Sequence, residues 1–136
     1  MKGSSLTTPR AQGQCLCGSI RFTVVGELRD VINCHCHRCR RWTGHHMAAA
    51  GARAADVVID DEAGTLTWFA PVPEAEYGFC GRCGSSLFWR NDDPGQLSIC
   101  AGTLHPPTGL RTSEAWWVGE ASDYHSRPHV PERATE

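Results

Sequence analysis

No stretch of this chain is apolar for long enough to cross a membrane, and the opening MKGSSLTTPRAQGQ has no apolar segment of the kind a secretory signal carries. The expectation is a cytoplasmic protein with no membrane partner. A basic stripe interleaved with aromatics is missing too, and 13 Lys and Arg against 15 Asp and Glu give a formal charge of −2, so nucleic acid is not expected as a partner. There is no G-x-S-x-G, H-E-x-x-H, phosphate-binding loop or dinucleotide fingerprint, which removes the common hydrolase, zinc-protease and nucleotide chemistries. Internal repeats, long linkers and extended helical stripes are absent as well, so neither a solenoid nor a helical bundle is expected.

What is present is a succession of short β-like runs. In SIRFTVVGE, Ile20, Phe22 and Val24 alternate with Arg21, Thr23 and Val25, the period of a half-buried strand. Similar runs lie at Val57 to Ile59, Leu66 to Ala70, Ser86 to Arg90 and Gln96 to Leu104, separated by DDEAG, APVPE and NDDPG, which carry turn residues. Arg38 to Thr43 reads as one short turn of helix. The fold class is mainly β, built of short antiparallel strands: one domain over residues 12–125, with 1–11 and 126–136 as mobile ends.

A chain of 136 residues has a modest core, and its eight cysteines offer cross-links. In a reducing compartment closely spaced cysteines are metal ligands or redox groups more often than disulfides. Cys15 and Cys17 stand in C-L-C-G, and Cys80 and Cys83 in C-G-R-C-G, so Gly18 or Gly84 closes each pair. A glycine there reaches positive φ cheaply and curls the chain so that backbone N–H groups face the sulfurs. Zinc with Zn–S of about 2.3 Å needs its sulfurs about 3.8 Å apart, a spacing a tight turn supplies. Two such turns predict one structural zinc held by Cys15, Cys17, Cys80 and Cys83. The alternative, two thioredoxin-like redox motifs, lacks its βαβ surroundings. Four thiolates around one zinc are a net dianion, so the folded protein is expected to be more acidic than its composition implies.

NCHCHRCRRW places Cys34, Cys36 and Cys39 close together, with Arg40 where the closing glycine would stand. Three thiolates from one short loop can hold a zinc and leave its fourth position to water or substrate; His35 or His37 could instead close the shell. The open arrangement is the expectation, because inward-pointing Cys34 and Cys36 turn the intervening His35 away. Arg38, Arg40, Arg41 and Arg82 sit beside the cysteines, either balancing thiolate charge or holding a substrate. Cys100, in LSICAG, reads as a buried small hydrophobe, with a redox nucleophile as the sharper alternative. Asp60, Asp61 and Glu62 read as a solvated turn, His45 and His46 as loop residues, and Trp42, Trp68, Trp89, Trp116 and Trp117 as packing.

C-L-C-G, then C-H-C-H-R-C-R, then F-C-G-R-C-G-S-S-L-F and A-G-T-L resemble the family of glutathione-dependent formaldehyde-activating enzymes, which includes the centromere protein V domain. The resemblance runs from about Gln14 to about Pro106. It implies an Mss4-like, tent-shaped β fold, a structural zinc on Cys15, Cys17, Cys80 and Cys83, and a second, catalytic zinc on Cys34, Cys36 and Cys39. It also implies a carbon-sulfur lyase joining formaldehyde and glutathione as S-hydroxymethylglutathione, with Arg40 and Arg41 as candidate contacts to a glutathione carboxylate. Two positions depart from the family's pattern, Tyr77 where arginine is frequent and His105 where aspartate is frequent. Two other readings stand beside the enzyme: a zinc-stabilised binding module, and a sulfoxide-reductase-like enzyme using Cys100.

Overall fold

A computed structural model describes residues 9–135. Among the described residues ten strands form two sheets. β1 (Ala11–Gln14), β2 (Arg21–Val24) and β5 (Val57–Asp60) make a small antiparallel sheet in the order β1-β2-β5. The larger sheet holds β3 (Arg29–Cys34), β4 (Met47–Arg53), β6 (Leu66–Val72), β7 (Ala75–Cys80), β8 (Ser86–Asn91), β9 (Gln96–Cys100) and β10 (Thr112–Trp116). Its order is β10-β3-β4-β9-β8-β7-β6, antiparallel throughout except for the parallel pair of β10 and β3. The mainly β, largely antiparallel expectation therefore holds. Among the described residues no helix is long and apolar enough to cross a membrane.

Alternation along the strands sorts the apolar side chains into two clusters. Phe22 and Val24 of β2 meet Leu87 and Phe88 of β8 and Ile99 of β9 between the sheets, with the Phe22 and Phe88 rings edge to face at 5.1 Å. β4 serves both clusters: Ala50 and Ala52 face this core, whereas Met47 and Ala49 join Cys39, Ala75 and Tyr77 in a second cluster. Small residues suit a strand that is covered on both faces, and they also hide it from a search for alternating large apolar groups. The main core carries Cys15, Cys80 and Cys83, and the second cluster packs against Cys34, Cys36 and Cys100.

α1 (His37–Thr43) is the one α-helix among the described residues. Cys36 caps its N-terminus, its sulfur accepting the Cys39 N–H at 3.4 Å, and Gly44 at φ 78° ends it with its N–H on the Arg40 carbonyl. Both margins of the described chain make backbone hydrogen bonds, Arg10 N–H to Val24 O at one end and the segment around Pro131 and Arg133 at the other. Residues 1–8 of the expected N-terminal end lie outside the described residues, while Ala11 belongs to β1. At the other end Ala115 N–H donates to Pro131 O, Arg133 N–H to Ala115 O and Val118 N–H to Arg133 O. The polar, proline-containing tail is thus held along β10 by backbone hydrogen bonds, which side-chain composition does not reveal.

Candidate metal centres and the adjoining cavity

The turn after β1 and the turn between β7 and β8 bring Cys15, Cys17, Cys80 and Cys83 together, their sulfurs all within 4.8 Å of one another. Cys15 and Cys17 Sγ are 3.7 Å apart, and Cys17 and Cys80 Sγ, 63 positions apart in the chain, are 3.8 Å apart. These are the edges of a tetrahedron whose centre is about 2.3 Å from each sulfur. Gly18 and Gly84 take φ of 78° and 81°, and the N–H groups of Ile20, Arg82 and Cys83 each approach a cysteine sulfur at 3.4 Å. The geometry and the donor set fit zinc, and no disulfide competes, since all eight cysteines are free thiols.

Hydroxyls complete this surrounding, and the sequence reading missed them. Ser19 Oγ is 3.1 Å from Cys17 Sγ and 2.9 Å from Thr65 Oγ1, while Ser85 Oγ is 3.1 Å from Cys83 Sγ and accepts the Leu16 N–H. Both half-sites read C-G-S, so a serine two positions after the second cysteine was the available signal. Burial opposes ionisation of Cys80, yet hydrogen bonds from Ser19, the Cys83 N–H and Thr65 outweigh it and hold the thiol down to about 5. The Ser85 hydroxyl does the same for Cys83, to about 7. These hydrogen bonds favour the thiolate form that a cation requires.

Cys34 ends β3, Cys36 caps α1 and Cys39 lies in its first turn, and the three sulfurs form a second group within 4.8 Å. Among the described residues no fourth cysteine, histidine or carboxylate joins it. His35 is buried on the opposite side, its ring 4.9 Å from that of His46, so the expected turning away of His35 holds geometrically. Three thiols this close cannot all ionise on their own. Hydrogen bonds from Cys34 and then Cys39 hold Cys36 far below the ordinary thiol range, and the same contacts, joined by burial, push Cys34 and Cys39 up. A soft divalent cation is the partner that lets all three carry charge, so the donor set fits zinc here as well. Tyr77 Oη lies 3.6 Å from Cys39 Sγ. Burial, followed by the charge of Cys39, keeps that phenol protonated, which makes it the donor towards a thiolate.

The three cysteines line a cavity of about 580 Å³. Arg29 and Arg38, Trp89, Trp116 and Trp117, and Asp92 share its wall, and the volume lies within the usual range for small-molecule sites. Trp117 takes a left-handed φ of 59°, the one non-glycine residue with positive φ among those described. α1 is braced against the turn after β10: the His37 N–H donates to Glu120 Oε1 at 2.7 Å and Arg40 Nε to Glu120 O at 3.2 Å. Arg40 is thereby engaged with backbone, Arg41 is exposed, and neither lines the cavity, whereas Arg38 and Arg29 do. On a helix, the two positions between Arg38 and Arg40 turn the side chain by about 200°. Trp89, Trp116 and Trp117 line the site rather than only packing. His105 is exposed and outside the cavity. Burial pushes the Cys100 thiol up to about 12, which keeps it protonated at neutral pH, and it packs against the second apolar cluster. A larger hollow of about 790 Å³ beside Arg10, Arg29 and Arg53 contains no cysteine or histidine.

A family model described as glutathione-dependent formaldehyde-activating enzyme matches residues 10–120. The chain belongs to that family. A Schizosaccharomyces pombe protein named as an uncharacterized lyase is 30% identical over 81 residues, covering 60% of this chain and 58% of the relative. The aligned part thus spans less than two thirds of that relative's length. The crystal structure of a Rhodobacter sphaeroides protein superposes with a TM-score of 0.60 at 28% identity, covering 77% of this chain and 98% of that one.

Proposed function

We propose that this protein is a zinc-dependent carbon-sulfur lyase that joins a small aldehyde, with formaldehyde the family's substrate, to the thiol of glutathione. The observation that carries this reading is the three-cysteine cluster, which has no fourth protein ligand among the described residues and opens onto a cavity lined by arginine and tryptophan. Cys34, Cys36 and Cys39 would hold a zinc ion, which when bound lowers the pKa of a substrate thiol. Three thiolate donors make it a poor activator of water and a good match for sulfur.

The chain's own groups supply the rest. Arg38 offers a guanidinium fork to a carboxylate of the tripeptide, Arg29, held through Nη1 by the Asp30 and Ala49 carbonyls, adds positive charge to the wall, and Asp92 faces the ammonium group. Trp89, Trp116 and Trp117 give the cavity an apolar wall that excludes water from a reactive adduct. The Tyr77 hydroxyl hydrogen-bonds Cys39 and holds the charge of the cluster in place. In the reaction the sulfur gains a bond to the carbonyl carbon, the C=O π pair moves to oxygen, and that oxygen takes the proton the thiol has lost. The reverse sequence releases aldehyde and thiol.

The test uses the cobalt-loaded full chain. Glutathione should change the sulfur-to-cobalt absorption at submillimolar concentration, and S-methylglutathione, whose thioether is a weaker donor, should do so far less. Equal responses, or none at millimolar glutathione, would leave a zinc-stabilised binding module as the better description.

A further inference from the structure

Three histidines outside both cysteine clusters converge in the folded chain. His35 lies between β3 and α1, His46 just before β4, and His125 in the segment after β10. One nitrogen from each comes within 4.8 Å of the others. The ring centroids of His35 are 4.9 Å from His46 and 5.7 Å from His125, and His46 is 5.9 Å from His125. Such a convergence of imidazoles is unusual without a purpose, because buried polar nitrogens are normally paired. Here His35 Nε2, His46 Nδ1 and His125 Nε2 are all buried and have no hydrogen-bond partner among the described residues, and His35 is only 1% exposed.

The tautomer of His125 is set by its neighbour. Its Nδ1 lies 3.1 Å from the Ser126 carbonyl, which can only accept, so Nδ1 carries the proton and Nε2 presents a lone pair to the cluster. A backbone carbonyl on the outer nitrogen is the usual support of a metal-binding histidine. His45 packs over the group at 4.1 Å from His46 and 4.6 Å from His125, its Nδ1 engaged by Tyr124 Oη, so it screens the cluster without joining it. In zinc sites made of three histidines the nitrogens stand about 3.4 Å apart, a closing-in from the present spacing that small side-chain rotations provide.

We propose that His35, His46 and His125 form a third metal site, which binds a borderline divalent cation such as zinc through three imidazole nitrogens and leaves the fourth position to water. Imidazole donors select zinc, nickel, cobalt or copper over magnesium and calcium. The site gives the Cys34–Cys36 segment a second anchor. Cys34 and Cys36 face the cavity and His35 faces the opposite way, so a cation on His35 grips from behind the same backbone that presents the two thiols. It also ties His125, in the segment after the Glu120 turn that braces α1, to the entry of β4.

The test is zinc titration of the full chain without a histidine tag, compared with His46→Ala, His125→Ala and, as a control, His129→Ala, an exposed histidine outside the cluster. Wild type and His129→Ala should each bind one equivalent more than either cluster variant. With cobalt, the extra equivalent should add visible absorption without sulfur-to-cobalt charge transfer, whose unchanged intensity in the variants reports intact cysteine clusters. A second measurement needs no variant: in imidazole nitrogen spectra of the wild type with its cysteine clusters already filled, the further equivalent of zinc should give metal-bound nitrogen signals at three of the seven histidines, His35, His46 and His125. Equal stoichiometry in wild type and both cluster variants, or metal-bound signals at histidines other than these three, would overturn the proposal.

Discussion

The two cysteine clusters are built from the same two spacings, used differently. The first takes a C-x-C pair at Cys15 and Cys17 and a C-x-x-C pair at Cys80 and Cys83 from distant turns; the second fuses both into C-x-C-x-x-C by sharing Cys36. Sharing one residue leaves three sulfurs instead of four. It also changes what a cation holds together. A cation on the first cluster closes a loop across 63 positions, which removes much freedom from the unfolded chain, whereas one on the second spans a strand end and a single turn of helix. The backbone beyond the last cysteine differs in parallel: Gly84 at φ 81° turns the chain back around the first site, while after Cys39 the helix continues and leaves one side to the cavity. Four sulfurs joining distant segments suit a staple, and in the function proposed above the three sulfurs from one segment beside a cavity serve as the reactive centre.

The largest expected effect is on the staple. Cys80→Ser should lose cooperative unfolding in thermal circular dichroism. A ligand held at a thousand times its Kd contributes about 4 kcal/mol, a large share of the about 5–15 kcal/mol that holds a domain folded. Next comes Cys36→Ser, which should leave the thermal transition nearly unmoved, because serine is itself a good helix N-cap, while glutathione binding falls more than about 100-fold, beyond the cost of losing a supporting residue. If the two variants unfold alike, the division between staple and reactive centre is wrong.

Smaller effects sharpen the second cluster alone. Arg38→Ala should raise the KM for glutathione about tenfold with kcat little changed, as expected for a charged hydrogen bond that holds substrate and transition state equally. A fall in kcat instead would place Arg38 at the reacting atoms. Tyr77→Phe removes only the hydroxyl beside Cys39 and should lower kcat/KM about fivefold, near the 1 kcal/mol of an ordinary hydrogen bond, with no change in thermal stability beyond a few degrees.

Strands whose side chains alternate in size and polarity were legible before any fold was known. β2, β5, β6, β8 and β9 fall where the alternation lies. β4, reading MAAAGAR, did not announce itself, because alanine covered on both faces has no polar side to alternate with. β10 was hidden too, its parallel pairing with β3 and the tail bound along it being backbone matters. The histidine cluster was out of reach for the same reason that His45 and His46 read as loop residues: a lone imidazole gives no sign of its partners, and these come from three separate segments.

The spacing of the cysteines, by itself, determined which sulfurs belong together, because short loops reach only a few geometries and a tetrahedral cation accepts few of them. Local spacing acts over a turn, and a turn is all that either cysteine pair requires. Which arginines face the cavity, which tryptophans wall it and which histidines meet behind it were decided by tertiary structure. Those placements depend on the phase of one short helix, the pairing of β10 with β3 and the return of the tail along β10. Such long-range contacts are energetic outcomes of the whole packing, and no stretch of sequence carries them alone.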